Sequence, residues 1–135
     1  MNTSLDVTRL DRWIERYGHA WRAKDDTAAA GLFSADASYR SHPLRPPHLG
    51  RAAIAAYWRA ATDTQLDLDL RFGRPIAQGN RVAVEWWASG EESDGDFTLP
   101  GCLILNFDDD GLCRDLREYW NAGDGRHQPA PSWGS

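Results

Sequence analysis

The chain is poor in the residues that would narrow its function at once. Among its 15 Lys and Arg residues only Lys24 is a lysine, and it has one methionine and two cysteines. Cys102 and Cys113 are too few for a disulfide framework or a zinc site, so a reduced cytoplasm is the simplest setting. Acidic residues outnumber basic ones, 20 to 15, leaving a net charge of -5; phosphate backbones call for a basic face, so nucleic acid is excluded as a principal partner. No apolar run is long enough to span a bilayer and no basic, apolar leader opens the chain, so neither a membrane span nor a signal peptide is expected. No Gly-rich phosphate loop or nucleophile elbow occurs. No His/Cys/Asp/Glu spacing reads as a metal motif, and "DDDG" at 108–111 is a turn without the ligand set of a calcium loop. Neither metal nor cofactor is expected.

What is abundant is tryptophan, seven in 135 residues. Rings of this size suit a core, a pocket or an interface. The length fits one domain, 1–135, with a core over about 6–121 and an irregular Gly/Pro-rich tail over 122–135 that Trp133 could anchor.

In the first half, Ser4 or Asp6 can cap a helix whose Leu10, Trp13, Ile14, Tyr17 and Trp21 form one apolar stripe. Asp25 or Asp26 caps a short second helix running to Phe33. "ASYRSH" reads as a strand, and "RAAIAAYWRAAT" as a third helix with Ile54, Tyr57 and Trp58 on one side. The period then changes to two. "QLDLDLRF", "RVAVEWWAS", "FTLPGCLILNF" and "LCRDLREYWN" alternate as strands, and "DDDG" turns between the last two. Helices segregated from strands give an α+β fold. The expected form is a cone-shaped, curved, mainly antiparallel sheet wrapped around the three helices of the N-terminal half and enclosing a pocket.

Three segments, "YGHAWRAKDDTAAAGLFSADASYRSHP", "GRAAIAAYW" and "NFDDDGLCRDLREYW", spread over Leu10 to Asn121, carry a resemblance. The chain resembles the nuclear-transport-factor-2-like superfamily, the fold of SnoaL-like polyketide cyclases and ketosteroid isomerase. In the isomerase a first-helix tyrosine donates to the developing enolate oxygen, and the resemblance places Tyr17 there. An aspartate before a proline is the proton-shuttling base, a place matched by His42-Pro43. A protonated aspartate completes the oxyanion hole, and here Leu103 stands instead, which cannot donate. In SnoaL-like cyclases an acid/base aspartate follows the turn glycine by seven positions, which from Gly111 lands on Glu118.

Strand alternation adds orientations. Leu116 and Trp120 must be hidden, so Glu118 between them faces inward, with Arg117 and Tyr119 outward. If His42 faces the pocket, so does Arg40, while Tyr39 and Ser41 do not. Histidine titrates near neutrality, and a glutamate in an apolar pocket rises toward it unless Arg40 pairs with it.

The site expected is therefore Glu118, His42 and Tyr17 as catalytic groups, with Arg40, Trp13, Trp21, Trp58, Trp86 and Leu103 around a hydrophobic small molecule. The reaction expected is isomerisation, cyclisation or dehydration of a carbonyl compound. Each residue also has a structural reading: Tyr17 as packing, His42 satisfying its loop, Glu118 in an ion pair with Arg40. A binding protein for an apolar ligand and a dimeric structural domain are the alternatives. His19, His48 and His127 fall away from the expected pocket. The outward Glu85, Trp87, Arg117 and Tyr119 suggest an interface, and the resemblance implies a homodimer through it.

Overall fold

The first helix, α1 (Val7–Ala23), starts where Asp6 accepts a hydrogen bond from the Arg9 amide at 2.8 Å, satisfying one of the amides a helix start leaves open. It stops at Lys24, which takes the left-handed conformation. Its stripe of Leu10, Trp13, Ile14, Tyr17 and Trp21 is buried. Asp25 caps the one-turn α2 (Asp26–Ala30). This helix ends before the expected Phe33, because Phe33 opens β1 (Phe33–Arg40). A two-residue β2 (His48–Leu49) leads into α3 (Gly50–Thr62), which buries Ile54 and Trp58. The rest is sheet: β3 (Leu66–Phe72), β4 (Ile76–Gln78), β5 (Arg81–Glu92), β6 (Gly95–Phe107), β7 (Cys113–Trp120) and β8 (Gly123–Asp124). These features come from a computed structural model, which describes residues 6–135. Among the described residues no helix is long and apolar enough to cross a membrane.

The α+β class holds, but the cone does not. The strands run β2-β1-β7-β6-β5-β3, with β4 and β8 attached to β5 and β6. The two ends of this path do not pair, so the sheet is open. It is also mixed, since β1 runs parallel to β7 while every other neighbouring pair is antiparallel. The physical reason is that one covered face suffices: α3 packs against β1 and α1 against β3. Each flank of the inner face thus has its own helix, and the apolar side chains leave water without the edges having to meet.

Alternation sorts the long strands. Val82, Val84, Trp86 and Ala88 of β5 and Leu103, Leu105 and Phe107 of β6 are buried beneath the helices. At the β6–β7 turn, Asp108 Oδ1 accepts from the amides of Asp110 and Leu112, and Gly111 takes a positive φ. The C-terminal segment crosses the outer face. The Trp87 indole donates to the His127 carbonyl at 2.8 Å, Trp133 meets Trp87 edge-on, and the Arg74 amide donates to the Gly134 carbonyl. Trp87 is therefore half-buried by its own chain, while Tyr119 remains exposed.

Candidate functional site

Between the helices and the inner face of the sheet lies a cavity of about 310 Å³. Tyr17 and Trp21 reach it from α1, Tyr57 and Trp58 from α3, Tyr39 from β1, Trp86 from β5, and Glu118 and Trp120 from β7. Glu118 faces inward because it shares parity with Leu116, which is fully buried in the core.

Glu118 is only 6% exposed. Tyr39 donates to its Oε1 at 2.7 Å, Tyr17 donates to the same oxygen at 3.4 Å, and the two tyrosine hydroxyls are 3.1 Å apart. Both hydroxyls converge on one oxygen, so Oε2 keeps no protein partner among the described residues. Burial pushes the Glu118 carboxyl up to about 7, and the hydrogen bonds from Tyr39 and Tyr17 hold back a larger rise. Burial, and then the Glu118 charge, raise both tyrosines well above their ordinary range, so they stay protonated and act as donors. Burial raises Tyr57 as well. The arrangement is a carboxyl that can hold or release a proton near neutrality, with one oxygen turned free.

Of the expected residues, Glu118, Tyr17, Trp21, Trp58 and Trp86 meet at this cavity. Trp13 lies one helical turn from Tyr17, donates its indole N–H to the Leu32 carbonyl at 2.9 Å, and packs edge-on against Phe33 and Phe107. Leu103 pairs across the strands with Glu118 and is buried, but it does not line the cavity.

The orientation expected for His42 and Arg40 is reversed. Tyr39 points inward and is 1% exposed, while Arg40 donates to the Arg45 carbonyl and His42 accepts from the Leu44 amide. His42 belongs to an outer groove beside Trp120 and Trp133, and Arg40 is not paired with Glu118 but bonds the Arg45 carbonyl. The cause is parity: Ala37 and Tyr39 are the apolar residues of the strand end, and burying them turns Ser38 and Arg40 away.

Tyr39 was thus the main residue that sequence reasoning missed, although the apolar/polar alternation of Ala37-Ser38-Tyr39-Arg40 held the signal. Trp120, expected to be hidden, is 40% exposed at the cavity mouth and donates to the Ser41 carbonyl at 2.8 Å. His48, beyond the pocket wall, stacks on Tyr57 at 4.5 Å.

An open mixed sheet backed by helices, with an aromatic cavity around one buried carboxyl, defines a small ligand-cavity domain. The chain belongs to the SnoaL-like domain family, whose model matches residues 14–116. It is 24% identical over 111 residues to the steroid Delta-isomerase of Nocardioides simplex, a match covering 82% of this chain and 89% of that one. Among solved structures it is similar to SalBIII, an epoxide hydrolase/cyclase-like enzyme of pyran ring formation in salinomycin. That likeness has a TM-score of 0.78 at 17% identity and covers 89% of this chain and 98% of the other. A hypothetical protein of ketosteroid isomerase-like fold from Catenulispora acidiphila, in complex with trimethylamine, superposes with a TM-score of 0.71 at 18% identity. Here the coverage is 79% and 83%.

Proposed function

We propose that this chain is a cofactor-independent acid/base enzyme that isomerises, cyclises or dehydrates a small hydrophobic carbonyl compound, with Glu118 as the proton-transfer group. One observation carries the reading. A buried carboxyl, raised to about 7 and with Oε2 free, opens on an aromatic cavity. Near its own pKa such a group is both a competent base and a competent acid. In an isomerisation, Oε2 takes a proton from the carbon beside the carbonyl. The electron pair moves onto the carbonyl oxygen, and the same proton returns to another carbon.

Once Glu118 holds that proton it no longer draws both tyrosines as an anion does. Tyr17, held at only 3.4 Å, is then the hydroxyl best placed to turn toward the enolate oxygen. Leu103 supplies no donor, so the burden falls on the tyrosines. The isomerase and cyclase-like relatives support this choice of reaction classes.

The test needs no known product. A panel of small hydrophobic ketones in D2O, followed by NMR, reports exchange of the protons beside the carbonyl. The unaltered chain is expected to accelerate exchange for at least one compound, and Glu118→Gln to lower that rate by about 10²-fold or more with an unchanged circular dichroism spectrum. Equal rates in the two proteins would make Glu118 a structural group.

A further inference from the structure

The cavity has a charge character beyond the single base that the proposed reaction uses. Glu118 sits at its floor and Glu92 at its rim, and among the described residues no Arg, Lys or His lines it. Its walls are ring faces set at steep angles: Trp21 meets Trp58 at 70° and Trp86 at 64°, and Tyr17 meets Trp58 at 83°. Rings crossing this way form the sides of a box rather than a stack. An aromatic face carries negative potential, and such boxes hold weakly hydrated cations. Carboxylates and π faces push the potential negative, against the indole N–H groups of Trp58 and Trp86, which are buried without a partner among the described residues. The hydroxyls of Tyr17 and Tyr39 are turned onto Glu118, and that of Tyr57 bonds Ser41.

We propose that the cavity takes a compact apolar amine, cationic at neutral pH, whose alkylated nitrogen sits among Trp21, Trp58 and Trp86 within reach of Glu118. This names the ligand class of the cavity proposed above as the substrate site. It rests on that assignment, not on turnover. The rings supply a site for an alkylammonium head, and the Glu118 carboxylate supplies its counter-charge in a water-poor setting where Coulomb attraction is strong. The remainder of the 310 Å³ accommodates the apolar body.

Phenyltrimethylammonium and tert-butylbenzene, alike in shape and different in charge, are the probes. Their binding to the full chain is followed by tryptophan fluorescence at pH 8 and pH 5.5. The cation is expected to bind about 10-fold or more tightly than its isostere at pH 8, and the ratio to shrink at pH 5.5 as Glu118 becomes protonated.

Glu118 faces Tyr17 of α1, Tyr39 of β1, Tyr57 of α3 and the apolar Leu103 of β6, and none of these titrates in that interval. His48, behind Tyr57, is held low by burial. Glu118→Gln separates it from Glu118: the variant should lose most of the preference at pH 8 and the pH dependence together. Isostere binding as tight as cation binding at pH 8 overturns the proposal, as does a preference indifferent to both pH and Glu118→Gln. Should the variant not fold, His48→Ala is titrated at the same two pH values: a cation preference that still shrinks at pH 5.5 keeps Glu118 as its source, and one that no longer responds to pH overturns the proposal. Cation preference without exchange of any ketone proton would sink the proposed reaction and leave this inference standing. Ketone turnover without cation preference would do the reverse.

Discussion

Tyr39 sets the proton affinity of Glu118 through one short hydrogen bond. At 2.7 Å it stabilises the carboxylate more than Tyr17 does from 3.4 Å, and a bond to a charged group contributes about 1.5–3 kcal/mol. Tyr39→Phe should therefore raise the Glu118 pKa above about 7, by roughly one to two pH units. The inflection in the pH profile of ketone proton exchange is expected to move up accordingly. Tyr17→Phe should move it less. A profile unmoved by Tyr39→Phe would mean that the hydroxyl does not hold the carboxylate in solution. Glu118 itself was legible from the sequence, because Leu116 on the same strand face had to be buried. His42 was placed inward by family position rather than by pattern. The pattern in β1, with Ala37 and Tyr39 apolar and Ser38 and Arg40 polar, pointed the other way and was right.

At the scale of elements, the cavity wall depends on how closely β5 and β6 lie. Trp86 pairs across the strands with Gly101, and a Cβ at Gly101 would fall 2.4 Å from the Trp86 ring. The glycine lets the indole lie flat across the neighbouring strand, which keeps its other face for the cavity. Gly101→Ala should push Trp86 into the cavity, cost about 1–3 kcal/mol of stability by overpacking, and weaken binding of phenyltrimethylammonium. Urea denaturation and the fluorescence titration check both parts. A variant with both unchanged would show that Trp86 has room to relax. Helices and long strands were readable because their periods are local. The direction of β1 beside β7 was not, because those strands are far apart in sequence and no turn between them fixes the pairing. The two-residue β2 and β8 and three-residue β4 are too short to show a period at all.

For the whole molecule, the difference between a cone and an open sheet was invisible because a helix-covered face reads the same in both. What the fold does impose globally is a stability that depends on pH. Glu118 has an ordinary pKa of 4.5 in the unfolded chain and about 7 in the folded one, so the folded chain binds this proton more tightly. Below about 4.5 both states hold it and there is no penalty. Between about 4.5 and 7 the unfolded state releases it first, and stability falls as pH rises. Above about 7 both are ionised, and the penalty is complete at about 3 kcal/mol. Glu118→Gln keeps the shape and an acceptor oxygen for the tyrosines, and removes the titration. The free energy of unfolding of the variant minus that of the unaltered chain, from urea curves, should therefore become more positive between pH 5 and pH 8, by up to about 3 kcal/mol. Every other titrating group is common to both proteins and drops out of this comparison to first order. A constant difference across that range would mean that the carboxyl titrates alike in the two states. The poised acid/base would then be lost, and with it the observation on which the proposed chemistry stands.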